Sequence, residues 1–376
     1  MTANYILDIV ILLGAAVVAV PLFRIIGFGA VPGFLVAGVV VGPSGFALID
    51  NVTEISQLSE LGVVLLLFVI GIELKPSRLW LMRRLVFGLG TLQVLVTGLL
   101  ITAVVYLLLD VGLPAAAVIG PALALSSTAF VLQILSERRA LHAGYGRASL
   151  AVLLLQDLAV VPLLALVPLL TMQQLSIGMD IAIALAETIV ILLAVIVGGR
   201  YLLQPILQRV AESRSKEVFT AVTVLLVLGS AVLTEHLGLS MAMGAFIAGL
   251  LIADSPFRHE VIGEIEPFRG LLLGLFFMSM GMSLEVGGFL AQPAQTLGLL
   301  GALVFVKILV LWPLTLAFGL GARTGAAVAV LLAQSGEFGL VLFAYSFQAE
   351  LLDASLFQQL LLVIVLSMLV TPVLAY

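Results

Sequence analysis

The run AVLLLQDLAVVPLLALVPLL, residues 151–170, carries a single charge, Asp157, with Gln156 immediately before it. About twenty apolar residues are what a membrane-crossing helix needs. An aspartate at the centre of such a helix costs roughly 2.5 to 3.5 kcal/mol even on the most lenient scale. Three roles fit it. Asp157 pairs with Lys307 and only fixes helix packing, or it stays protonated and inert, or it is a carboxylate for which H⁺ and a metal cation compete. In the third role one group holds a proton or an alkali ion, never both, and exchange becomes obligatory. Such a site needs hard oxygen ligands, and Asp157, Gln156, Ser127 and Thr128 can supply them beside freed backbone carbonyls.

Two other polar stretches lie where apolar residues are expected. GPALALSSTAFVL places Ser126, Ser127 and Thr128 a few residues after Pro121, and LLAQSGEFGLVL holds Gln334, Ser335, Gly336 and Glu337. Serines and threonines can back-bond inside an intact helix. Paired, glycine-bearing polar interruptions in corresponding spans instead mark broken helices around a binding site. Each break exposes helix ends of partial positive and partial negative charge. Glu337 suits the first kind and Lys307 the second, with Asp157 the other partner open to Lys307, since a lone buried ammonium is very unfavourable. Glu73 reads as interfacial beside Lys75, Asp8 as solvated, and Glu187 has no assigned role. His142, His236 and His259 fall in connections without metal-ligand spacing, and with no cysteine there is no disulfide or thiol chemistry. Transport rather than catalysis is expected, with no resident cofactor.

These residues must be positioned by membrane-spanning helices. The chain is 62% hydrophobic and only 10% charged, with a mean hydropathy of +1.30, against about 25% charged residues in soluble domains. Its N-terminus lacks a basic region or cleavage site and reads as a retained span. Thirteen hydrophobic segments are predicted, at about 5–23, 30–43, 58–74, 85–109, 114–135, 147–171, 180–203, 217–235, 239–253, 268–284, 295–319, 323–346 and 355–375. Every Lys and Arg except Lys307 falls in a connection after an odd-numbered span or within four residues of one, which places the N-terminus outside and the C-terminus in the cytoplasm.

The spans also repeat. IGFGAVPGFLVAGVVVG (26–42) matches LGLSMAMGAFIAGLLIA (237–253), LGVVLLLFVIGIEL (61–74) matches LLLGLFFMSMGMSL (271–284), and ALSSTAF (124–130) matches AQSGEF (333–338), each about 210 residues on. The mates are an odd number of spans apart, so they cross in opposite senses, as in the inverted repeats of secondary transporters. Repeat one covers about 1–172, a connector span about 180–203, and repeat two about 217–376. Asp157 falls opposite Leu366 and Lys307 opposite Gly98, so these ionisable groups are additions to one copy, not parts of the scaffold.

The stretches LLLQDLAVVPLLALVPLL, ALALSSTAFVLQ, SMAMGAFIAGLLIADSPFRHE, EIEPFRGLLLGLFFMSMGMSL, VKILVL and AQSGEFGLVLF resemble the membrane part of the Kef potassium–proton antiporters, in the second monovalent cation:proton antiporter family. The resemblance implies an all-α polytopic membrane protein with thirteen transmembrane helices and crossed broken helices, the NhaA/NapA-like antiporter fold. It implies a homodimer in a bacterial inner membrane, working by elevator-like alternating access, with no nucleic-acid partner. It puts cation and proton at Asp157, with Gln156 where sodium-exchanging relatives carry Asn or Asp. Lys307 and Glu337 match positions near the crossed breaks. Arg258, His259, Glu260, Glu264 and Glu266 match a regulatory loop, which a cytoplasmic domain or ancillary subunit would contact; a solvated mixed-charge loop is the plainer reading. Family members continue into a domain that binds nucleotide and glutathione adducts. This sequence stops at VTPVLAY, a truncation or a short form, so ligand gating is not expected of it alone. The alternatives are Na⁺/H⁺ exchange, a gated K⁺ channel, for which no repeated carbonyl filter is present, or a sensor that binds an ion without moving it.

Overall fold

The computed structural model describes residues 2–49, 52–73, 80, 82–109, 111–171, 209, 215–236, 241–253, 255–285, 287 and 293–375. They form fourteen α-helices. The first three are α1 (Thr2–Ile25), α2 (Ala30–Val41) and α3 (Val52–Glu73); a π-helical segment, Arg84–Gly90, then leads into α4 (Thr91–Leu108). Next come α5 (Leu113–Ala124), α6 (Thr128–Glu137), α7 (Gly144–Thr171), α8 (Lys216–His236), α9 (Met241–Ile252) and α10 (Arg258–Met282). The last four are α11 (Pro293–Ala317), α12 (Ala322–Leu331), α13 (Glu337–Gln348) and α14 (Ala354–Ala375). Among the described residues, six stretches are long and apolar enough to cross a membrane: Leu7–Ile25, Arg84–Leu108, Gly144–Thr171, Lys216–His236, Pro293–Ala317 and Ala354–Thr371.

Twelve of the thirteen expected spans coincide with helices or with a pair of half-helices. The connector span at 180–203, with Glu187, lies outside the described residues. Spans five and twelve are interrupted, at 125–127 and 332–336, where both polar stretches fall. One boundary differs from expectation. The segment read as a loop up to residue 267 is helical from Arg258, because Val261 and Ile265, one turn apart, are fully buried in an apolar cluster with Phe68 and Ile72. Its charges lie along that helix: Glu264 accepts from the Thr220 hydroxyl at 2.5 Å and lies 4.0 Å from Lys216, Glu266 pairs with Arg269 at 2.9 Å, and Arg258 Nε donates to His259 at 3.3 Å.

The chain divides into two compact units. One comprises residues 1–56, 77–167 and 277–376, and the other 57–76 and 168–276. All residues expected to bind the ion belong to the first. In it α4 packs on α5 and on α11, and α14 packs on α11, α12 and α13. Beneath the breaks, Leu89, Phe130, Val131, Val152, Leu311, Val328 and Leu332 form one buried apolar cluster that joins the π segment to α6, α7, α11 and α12.

The glycines of the sequence repeat make matching close approaches. A Cβ on Gly38 of α2 would overlap the Met278 carbonyl of α10, and one on Gly281 that of Leu35. In the other unit, Gly249 of α9 stands in the same relation to Phe68 of α3, and Gly71 to Phe246. Each residue in the first pair of contacts lies about 210 residues from one in the second. These are backbone-to-backbone contacts that no rotamer change relieves. Gly38→Ala and Gly249→Ala should therefore each destabilise the protein by about 1–3 kcal/mol or more, read as loss of thermal stability in detergent. Gly298→Ala and Gly301→Ala, where a Cβ meets nothing within 4 Å, should leave stability unchanged or slightly raised.

Candidate functional site

A helix that stops inside a membrane leaves N–H and C=O groups that lipid cannot satisfy, at several kcal/mol each. In the first unit two helices stop this way and each satisfies the other. The Gly336 N–H donates to the Leu125 carbonyl at 3.0 Å, and the Ser127 N–H donates to Gln334 Oε1 at 3.2 Å. The Ser126 hydroxyl donates to the Leu332 carbonyl at 2.9 Å, and the Ser335 N–H to Ser367 Oγ at 3.1 Å. Ser127 also caps α6, its Oγ accepting from the Phe130 N–H at 3.2 Å, the position and partner of an N-cap serine. Gly336 precedes α13 in the same place without a side-chain cap.

The carbonyl ends are met by Lys307. Its side chain is fully buried, and Nζ lies 3.2 Å from the Leu123 carbonyl, 3.3 Å from that of Leu125, 2.6 Å from that of Gln334 and 3.0 Å from Ser126 Oγ. The ammonium therefore faces the negative ends of both first half-helices. The sequence left helix ends and Asp157 open as partners of Lys307; the groups its Nζ bonds here are helix-end carbonyls and the Ser126 hydroxyl. At the opposite polarity, Glu337 is the first residue of α13 and 7% exposed, where a carboxylate is favoured by the helix dipole. Its repeat mate, Thr128, is the first residue of α6 and carries no charge, but its hydroxyl donates to Asp157 Oδ1 at 2.8 Å. Each second half-helix thus has a carboxylate at its N-terminus, one from its own residue and one from α7.

The sodium/hydrogen exchanger transmembrane family model matches residues 11–376, nearly the whole chain. The chain belongs to the sodium/hydrogen exchanger family. Its fold is similar to that of the sodium proton antiporter MjNhaP1 from Methanocaldococcus jannaschii, with a TM-score of 0.72 over 100% of this chain and 98% of that one, at 17% identity. Family membership makes this multi-pass membrane protein a cation/proton antiporter, and the likeness to MjNhaP1 gives it that protein's fold.

Within this sodium/hydrogen exchanger fold the expected ligands separate. Ser127 Oγ caps a helix and Ser126 Oγ lies between Lys307 and the Leu332 carbonyl. Gln156 is fully buried, its Oε1 accepting from the Ser126 N–H at 2.8 Å and its Nε2 donating to Gln93 Oε1 at 2.7 Å. Only Asp157 and Thr128 are partly exposed. The side-chain amide nitrogen of Gln334 and the hydroxyl of Ser335 are buried without a hydrogen-bond partner among the described residues. Arg258, His259, Glu260, Glu264 and Glu266 lie on α10 in the other unit. Gln93, in the apolar run GTLQVLVTG, was not singled out by sequence; its only signals were an amide at mid-span and Thr97 one turn later.

Proposed function

We propose that this chain exchanges a monovalent cation for H⁺ across the membrane, with Asp157 as the carboxylate that holds one or the other. The observation that carries the reading is the placing of Asp157. It is partly exposed and bonded to Thr128 at the N-terminus of a half-helix, while the neighbouring Ser126, Ser127 and Gln156 oxygens already hold backbone or lysine groups. The partly exposed oxygens of the set are thus those of Asp157 and Thr128, and a proton competes with the cation for the carboxylate. Lys307 and Glu337 stay with the helix ends and keep the crossing neutral enough to sit in the membrane.

K⁺ is the cation this reading assigns, on the Kef-like stretches around Asp157. Na⁺ is the second reading, favoured by the likeness to a sodium proton antiporter. The reading includes thirteen spans in two inverted repeats, the N-terminus outside, a homodimer in a bacterial inner membrane, and alternating access. Proteoliposomes with a pH-sensitive dye inside test it. Adding K⁺ or Na⁺ outside should drive proton efflux, and Asp157→Asn should abolish it while the purified protein remains folded. Cation-dependent flux that survives Asp157→Asn removes that residue from the mechanism. K⁺ flux uncoupled from protons makes the protein a channel.

A further inference from the structure

Gln93 is a fully buried amide on α4, three residues beyond the π-helical segment. Its Oε1 accepts from Gln156 Nε2 at 2.7 Å, and its Nε2 donates to the Ala124 carbonyl at 3.0 Å, with Thr97 Oγ1 at 3.4 Å. Gln156 Oε1 in turn accepts from the Ser126 N–H, and its Nε2 also reaches the Ala124 carbonyl in a longer bond of 3.4 Å, so the short path to that carbonyl runs through Gln93. The two glutamines therefore form a closed chain from the Ser126 N–H to the Ala124 C=O, the backbone groups on either side of Leu125 in the break.

The orientation of this chain is fixed at every link. The Ser126 N–H can only donate, so Gln156 must present its oxygen there and its NH₂ to Gln93. Gln93 must then present its oxygen to Gln156, and its NH₂ is left facing a carbonyl, which can only accept. Turning either amide over places two donors or two acceptors together in a dry interior, where an unmet group is most unfavourable. Gln156 directly precedes Asp157, so whatever holds Gln156 fixes the rotation of α7 at the turn that presents Asp157 to Thr128.

We infer that Gln93 is a positioning residue for the exchange site, acting through Gln156 to hold the Asp157 carboxylate against the N-terminus of α6. π-helical turns inside α-helices are frequent at functional sites, and here a π segment ends a single turn before this residue. The inference rests on Asp157 being the exchanging carboxylate.

The test is a cycle of Gln93→Met, Gln156→Met and the double variant, each reconstituted and normalised to folded protein. Gln93→Met should raise the half-saturating cation concentration about tenfold, the size of one buried hydrogen-bond partner lost, while the maximal rate stays within about twofold. The double variant should be little worse than either single one, because the chain is already open. An unchanged half-saturation in folded Gln93→Met, or fully additive effects, overturns the inference. Loss of maximal rate alone would assign Gln93 a structural role only and overturn it as well. Melting temperatures of the same four proteins give the coupling of Gln93 to Gln156 without any transport. If wild type shows no cation-dependent proton flux, the antiport reading fails by itself, and additive melting shifts then refute the amide coupling separately.

Discussion

Lys307→Met should leave almost no stable protein, in detergent or in the membrane. The substitution keeps the apolar stem and removes only the ammonium. Three carbonyls, those of Leu123, Leu125 and Gln334, then face a methyl group in the interior, as does the Ser126 hydroxyl. Each buried acceptor left without a donor costs about 1–3 kcal/mol, and the aligned ends of two half-helices lose their compensating charge as well. The sum is several kcal/mol, comparable with the whole margin of a folded protein. The measurement is the fraction of monodisperse protein by size-exclusion chromatography, followed by its melting temperature. Lys307→Met that stays monodisperse with wild-type stability would show that the carbonyls are satisfied otherwise. Lys307→Arg tests shape: a guanidinium is larger and planar, and partial recovery of stability is the expected result.

Gly336→Ala should be nearly as damaging, for a steric reason. The backbone there is extended, with φ −108° and ψ −179°, a conformation that alanine accepts. A Cβ would nevertheless lie 2.5 Å from the Ser127 nitrogen and 2.6 Å from the Ser126 carbonyl carbon. Both are backbone atoms of the other broken helix, so the methyl can be admitted only by parting the crossing. That would lengthen the bond from the Gly336 N–H to Leu125 and the bond from the Ser127 N–H to Gln334. Overpacking of well-packed interiors costs about 1–3 kcal/mol where side chains can move; here they cannot, and the loss should exceed that range. Thermal unfolding beside Gly298→Ala, which has open space, separates this effect from any general intolerance to alanine. Cation-driven proton flux should fall with it.

The broken helices were legible because polar, glycine-bearing stretches sat at mid-span and matched each other across the repeat. That double signal located the interruptions at 125–127 and 332–336 closely. The polarity of the charges was legible too, since Glu337 and Lys307 suit opposite helix ends. What Lys307 bonds was not, because its acceptors are backbone carbonyls, present at every residue and therefore invisible in a sequence. Gln93 was hidden for a related reason: its partners Gln156 and Ala124 lie 63 and 31 residues away, and an isolated glutamine in an apolar helix resembles many tolerated ones. The π segment RLVFGLG carries two glycines, Gly88 and Gly90, but glycines recur in most of these helices and single out no π turn. The stretch at 258–266 looked like a loop because its charges dominate its composition, although Val261 and Ile265 already had helical spacing.

Gln334 has a consequence of its own. By the repeat, the counterpart of the bond from the Gly336 N–H to the Leu125 carbonyl would run from the Ser127 N–H to the main-chain carbonyl of Gln334. That carbonyl is taken by Lys307, and the side chain supplies the oxygen in its place. The Lys307 side chain thus occupies the carbonyl that the matching bond would use, and the Gln334 side chain offers the Ser127 N–H an acceptor in its place. Positions 307 and 334 are therefore coupled: while Lys307 holds the main-chain carbonyl of residue 334, shortening Gln334 leaves the Ser127 N–H without its acceptor.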